Sequence, residues 1–160
     1  MTRTFELTRR ALLVGTALTI ANPASAQELG AFPVMRVSKE PNCGCCSDWV
    51  EHIRAGGFQT TVVDVTDLTA LKARLRVPGH LASCHTAEIG GYVIEGHVPA
   101  LAIKRLLLER PFAIGLAVPG MPVGSPGMEV SGTPDEPYEV ILFGPSGDRI
   151  YGRFKGSNAL

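Results

Sequence analysis

Long apolar runs, charge of one sign and cysteine are all scarce in this 160-residue sequence, and each shortage removes a class of explanation. The apolar run near the start, Ala11 to Ile20, is too short to span a bilayer. Lysine plus arginine and aspartate plus glutamate both number 15, so there is no basic excess of the kind that nucleic acid or an anionic lipid surface requires. The glycines show neither GxxxxGK nor a strand-borne GxGxxG, which excludes a phosphate loop. Internal repeats and long polar tracts are absent, and a hydrophobic fraction of 45% suits one compact domain with a real core. Cysteine is limited to Cys43, Cys45, Cys46 and Cys84, three of them within four positions.

The first 26 residues combine a basic start, the Ala11 to Ile20 run and a closing Ala24-Ser25-Ala26. That is the three-part pattern of an export signal. Thr8-Arg9-Arg10-Ala11-Leu12-Leu13 is similar to a twin-arginine motif but lacks the usual aromatic after the arginines, so both export routes stay open. Cleavage after Ala26 leaves residues 27–160 as a single, slightly acidic domain, free of the membrane and expected in the periplasm. In an oxidising compartment four cysteines can form two disulfides. The adjacency of Cys45 and Cys46 disfavours a purely structural pairing, because a bridge between neighbours is strained.

Periodicity organises the rest. "FPVMRVSK" (32–39) alternates as a first strand and runs into the cysteine cluster. Cys46, Trp49, Val50 and Ile53 then fall at helical spacing, with Gly56-Gly57 as the stop. "FQTTVVDV" reads as a second strand, Thr66 or Asp67 as a helix cap, and "LTALKARLRV" as a second helix. "CHTAEI" and "YVIEGH" form a hairpin on Gly90-Gly91. Pro99 opens a third helix whose buried face is read as Leu101, Ile103, Leu106 and Leu107. The order βαβαββα is that of an α/β, thioredoxin-like domain with a glutaredoxin-like core. A Gly/Pro-rich stretch from Pro111 to Pro137 is read as an ordered functional loop, and "YEVILF" and "DRIYGRF" as a C-terminal β-hairpin.

In that fold a CxxC motif lies where the first strand meets the first helix, and Cys43-Gly44-Cys45-Cys46 occupies this junction. Backbone N–H groups and the helix dipole there favour thiolates, which both disulfide exchange and soft metals require. Matching the hairpin glycines puts Cys84 and His85 across from the CxxC pair, with His85 at the position of the fold's cis-proline. Four sulfurs from two segments exceed the needs of dithiol exchange. They suit Cu(I), or Zn(II) as a tetrahedral S4 ion, and CxCC with one distant cysteine is better for thiolates bridging several Cu(I) ions than for one zinc.

Met121 and Met128 share the Gly/Pro-rich loop, where thioether sulfur is a soft ligand; the alternative is gap filling in the core. His85 follows Cys84 directly and His97 precedes the third helix, so each is read either as a ligand or as support for one. His52 and His80 are read as solvated, Trp49 and Tyr92 as core.

"CGCCSDWVEHI", "SCHTAEIGGYVIEGHVPA" and "GLAVPGMPVGSPGME" together resemble the CopG-type copper-resistance family, with the likeness running from about Phe32 to Tyr151. The resemblance implies a periplasmic thioredoxin-like protein that binds copper through clustered cysteines and is connected with copper tolerance. Carried over residue by residue, it makes Cys43, Cys45, Cys46 and Cys84 the thiolates and places Met121, Met128, His85 and His97 in the matching motifs. Expected partners are copper ions, with other periplasmic copper carriers or efflux components beyond them. The rivals are a thiol–disulfide oxidoreductase using Cys43 and Cys46, and a non-catalytic domain whose cysteines only form disulfides.

Overall fold

Alternation in the first described strand decides where the chain begins to be buried. The computed structural model describes residues 32–160, and the export-signal reading of residues 1–26 lies outside them. Strand β1 (Met35–Lys39) buries Met35, Val37, Ser38 and Lys39 and leaves Arg36 at the surface. Helix α1 (Gly44–Ala55) buries Cys46, Trp49, Val50 and Ile53, the four residues picked out by their spacing, and ends at Gly56. β2 (Thr60–Asp64) pairs parallel to β1. α2 (Leu68–Arg74) starts from Asp67, whose carboxylate accepts the Ala70 N–H at 2.9 Å. A short 3-10 turn (Gly79–Leu81) leads into the hairpin β3 (His85–Ile89) and β4 (Tyr92–Glu95), and α3 (Ala100–Glu109) follows Pro99.

The remaining strands extend the same sheet. β5 (Gly115–Ala117), β6 (Pro137–Phe143), β7 (Arg149–Lys155) and β8 (Asn158–Ala159) complete an eight-stranded sheet in the order β2-β1-β3-β4-β5-β6-β7-β8. β1–β2 and β4–β5 are parallel and every other pair is antiparallel. Val93 and Ile94, Leu116 and Ala117, and Leu142 and Phe143 divide neighbour by neighbour between two apolar clusters. The middle of the sheet is therefore buried on both faces, which is why these strands read as continuous apolar runs.

Three expectations are corrected. The Pro111 to Pro137 stretch is not all loop, because β5 lies in it and joins the sheet between β4 and β6. Gly115 permits this: a Cβ there would sit 1.7 Å from the Val93 carbonyl oxygen, so only glycine lets the two backbones close up. On α3, Ile103 and Leu106 are buried as expected, but Leu101 is 53% exposed and Leu107 only half-buried, while Ala100 and Ala102 occupy the inner face. Tyr92 is half-buried rather than core, its hydroxyl donating to the Pro111 carbonyl. Trp49 is fully buried and its indole N–H donates to the Val98 carbonyl at 2.9 Å, which satisfies its one polar atom. Among the described residues no helix is long and apolar enough to cross a membrane.

Candidate metal centre

Two chain segments meet at the C-terminal end of β1. From one side come Cys43, the extended residue that caps α1, and Cys45 and Cys46 in the first turn. From the other come Cys84 and His85, entering β3. One sulfur from each of Cys43, Cys45, Cys46 and Cys84 lies within 4.8 Å of the other three, and Cys84, His85 and His97 form a second set with the same closeness. Cys84 belongs to both.

The first set is not four free thiols. Cys43 and Cys46 are joined as a disulfide, while Cys45 and Cys84 are free. This departs from the expectation of four thiolates, and its reason is local: the N-cap and third helical residue of α1 bring their Cα atoms to 5.3 Å, within disulfide reach. Cys45 Sγ stands 3.6 Å from Cys43 Sγ, and Cys46 Sγ lies 3.8 Å from the Cys84 carbonyl oxygen. Cys46 is buried, whereas Cys43, Cys45 and Cys84 are partly open to solvent. Cys43 and Cys84 also border a cavity of about 510 Å³ whose walls include Leu68, Lys72, Val77 and Ala82.

The second set is oriented by backbone. The Nδ1–H of His97 donates to the Pro126 carbonyl at 2.8 Å, which fixes the tautomer and turns the Nε2 lone pair toward Cys84 Sγ at 3.1 Å. His85 Nδ1 lies 3.3 Å from the same sulfur, its ring packed 4.3 Å from Trp49 and edge-on to His97 at 5.0 Å. Both imidazoles are fully buried. His85 Nε2 is a buried nitrogen with no hydrogen-bond partner, the kind of group that native interiors rarely leave alone.

Electrostatics favour neutral nitrogens and a protonated sulfur. Burial holds His85 well below the ordinary imidazole range, with His97 and Lys72 adding to the effect. Burial likewise lowers His97, against the opposing Pro126 carbonyl and Glu129. The Cys84 thiol is pushed up to about 11, first by burial and then by Cys45. Cys84 therefore donates S–H to the His97 Nε2 lone pair, and a metal ion taking that sulfur must displace the proton.

The Gly/Pro-rich loop touches this centre at three points. Ser83 Oγ donates to the Gly120 carbonyl at 2.7 Å, Pro126 holds His97, and Gly127 lies on the first turn of α1. A Cβ on Gly127 would fall 2.6 Å from the Trp49 nitrogen and 2.7 Å from the Cys45 carbonyl oxygen, and its φ of +83° suits glycine alone. Met121 and Met128 each follow a contact residue, Gly120 and Gly127; Met121 is 52% exposed and Met128 half-buried.

Some residues escaped the sequence reading. His52 is not solvated: its Nε2 accepts the Ala100 N–H at 3.1 Å and caps α3, and burial lowers its pKa. His80 is exposed as expected and pairs with Asp148. Beneath Cys84 lies a buried carboxylate, Glu95, paired with Lys72 at 2.5 Å and also accepting from the Ser83 N–H and the Thr86 hydroxyl, each at 2.7 Å. Burial raises the Glu95 pKa, and Lys72 opposes that rise. The signal for it was a glutamate set among apolar residues in "YVIEGH".

The family described as "Protein of unknown function, DUF411" matches residues 81–128. A solved structure named "Copper resistance protein copG- Form 1" shares 44% identity with a TM-score of 0.72, covering 78% of this chain and 99% of that one. A second, "Copper resistance protein copG- Form 2", also shares 44% identity with a TM-score of 0.72, covering 77% and 98%. None of the curated proteins compared with the chain matches it.

Proposed function

The chain belongs to the CopG-type copper-resistance family, and we propose that it is a periplasmic protein of thioredoxin-like fold that holds Cu(I) through Cys43, Cys45, Cys46 and Cys84. The observation that carries the reading is the convergence of four sulfurs, from two segments, within 4.8 Å of one another. Thiolate is the ligand type that selects Cu(I), and closely spaced thiolates can bridge several ions. His97 presents a fixed nitrogen lone pair to Cys84, and His85 Nδ1 lies 3.3 Å from the same sulfur. Met121 and Met128 would add thioether sulfur from the loop that touches the centre at Gly120, Pro126 and Gly127. The copper-resistance names of the two related structures support copper as the cargo. Tolerance follows from keeping the ion out of redox cycling or passing it to another carrier.

Copper loading of the four-sulfur set requires the Cys43–Cys46 disulfide to be opened first. Two equivalents of an external thiol do this: the first displaces one sulfur as thiolate and forms a mixed disulfide with the other. The second releases that sulfur as the external thiols leave joined. Only then are four sulfurs available.

The same disulfide favours a second reading, a thiol–disulfide oxidoreductase working with Cys43 and Cys46. One experiment separates the two. The protein is reduced and handled anaerobically, its metal content measured, and Cu(I) titrated against a competing chelator. Tight uptake of copper that is lost in Cys84→Ser supports copper holding. Insulin-disulfide reduction that needs only Cys43 and Cys46, with no copper retained, supports the oxidoreductase instead.

A further inference from the structure

We propose that Glu95 is a positioning residue for the Cys84 thiol, acting through the backbone on either side of the Cys84-His85 dipeptide. Glu95 is fully buried. Its Oε1 accepts the Ser83 N–H at 2.7 Å, immediately before Cys84, and its Oε2 accepts the Thr86 hydroxyl at 2.7 Å, immediately after His85. Lys72 Nζ reaches both Glu95 Oε1 and Thr86 Oγ1, at 2.5 and 2.8 Å. A single carboxylate thus grips the chain at residues 83 and 86, on either side of Cys84, whose sulfur lies with those of Cys43, Cys45 and Cys46, and of His85, whose ring packs on Trp49. The Ser83 hydroxyl turns the opposite way, to the Gly120 carbonyl, so the same anchor also ties down the methionine-bearing loop.

Fold stability alone is a weak reason for this arrangement. An ion pair buried in an apolar interior gains little over well-packed hydrophobic residues of the same volume, because both charges are desolvated. What a carboxylate adds is direction: it accepts several bonds at fixed angles, and Glu95 accepts from one backbone N–H, one hydroxyl and one ammonium. The atoms whose positions these bonds fix are Cys84 Sγ and the His85 ring. The inference deepens the metal-centre reading, and its first test does not depend on copper.

The test is the rate of iodoacetamide alkylation at Cys84 and at Cys45, measured by mass spectrometry on copper-free protein with the Cys43–Cys46 disulfide intact. Cys45 lies on the other segment and serves as the internal reference. In Glu95→Gln the Cys84 rate is expected to rise about tenfold relative to Cys45, the scale of losing one ordering hydrogen bond. A rise at both cysteines together would mean general loosening and would overturn the proposal, as would an unchanged ratio. Should Glu95→Gln fail to fold, the near-isosteric Thr86→Val removes only the downstream grip; it is expected to shift the ratio in the same direction by less, and an unchanged ratio there overturns the proposal equally. Cu(I) titration of the same variants then reads the link to the metal. Weaker binding in Glu95→Gln, with the altered ratio, supports both readings, whereas an altered ratio with no copper uptake by wild type supports positioning and sinks the copper reading.

Discussion

The buried polar groups on the two sides of residues 83–86 are arranged in opposite ways. On one side Glu95, Lys72, Thr86 and the Ser83 N–H form a closed network in which the carboxylate is met by three donors. On the other, Cys45 and Cys84 are free, and His85 Nε2 is buried without a partner. A satisfied network is complete as it stands, whereas soft donors gathered beside one buried nitrogen that has no partner fit the metal site proposed above. The contrast supports the proposed metal site.

The contrast can be broken hardest at Glu95. Glu95→Ala strands Lys72, the Ser83 N–H and the Thr86 hydroxyl in the interior, and a loss of about 3–5 kcal/mol of unfolding free energy is expected in a denaturant titration. Acid produces a smaller effect on the opposite side. Burial holds His52, His85 and His97 below the ordinary imidazole value of 6.5, so the fold favours their neutral forms. Their contribution to stability is complete above that value and is lost as pH falls through the lower folded-state values. Thermal melts of the copper-free protein should therefore stay level from pH 8 to about pH 6.5 and decline below it. His52→Gln, which keeps an acceptor near the Ala100 N–H but cannot titrate, should reduce that decline. The smallest effect is expected where the polar side is already incomplete: His85→Leu discards an unpartnered nitrogen and should change stability by less than about 1 kcal/mol in the same denaturant assay. A large loss there would show that His85 is a structural residue and erase the contrast.

Much of the frame was legible because it rests on periodicity. Cys46, Trp49, Val50 and Ile53 declared α1, the Gly90-Gly91 turn declared the β3–β4 hairpin, and Thr66 or Asp67 marked the start of α2, where the structure has Asp67 as the cap. The sulfur convergence was legible too, through the likeness of the Gly90-Gly91 hairpin to that of a glutaredoxin-like fold, which sets Cys84 across from the CxCC junction. What escaped was whatever depends on partners distant in sequence. β5 is three residues long, too short to show alternation, and is a strand only because β4 and β6 flank it. Lys72 sits on an amphipathic helix, where a lysine reads as solvated until Glu95, 23 residues on, is folded against it. His52 on a helix looks equally ordinary until the free N–H of Ala100 arrives from α3. The redox state of Cys43 and Cys46 is likewise invisible in the sequence, which offers thiols and disulfide alike.

Cys84 is the one residue common to both ligand sets. Ions held by the two sets would have to share its sulfur or compete for it, so they cannot fill independently. Occupying either set would alter the affinity of the other by a reciprocal factor, since both would be terms of one linked equilibrium. On the proposed copper reading, loading of the two sets would then be coupled through a single atom.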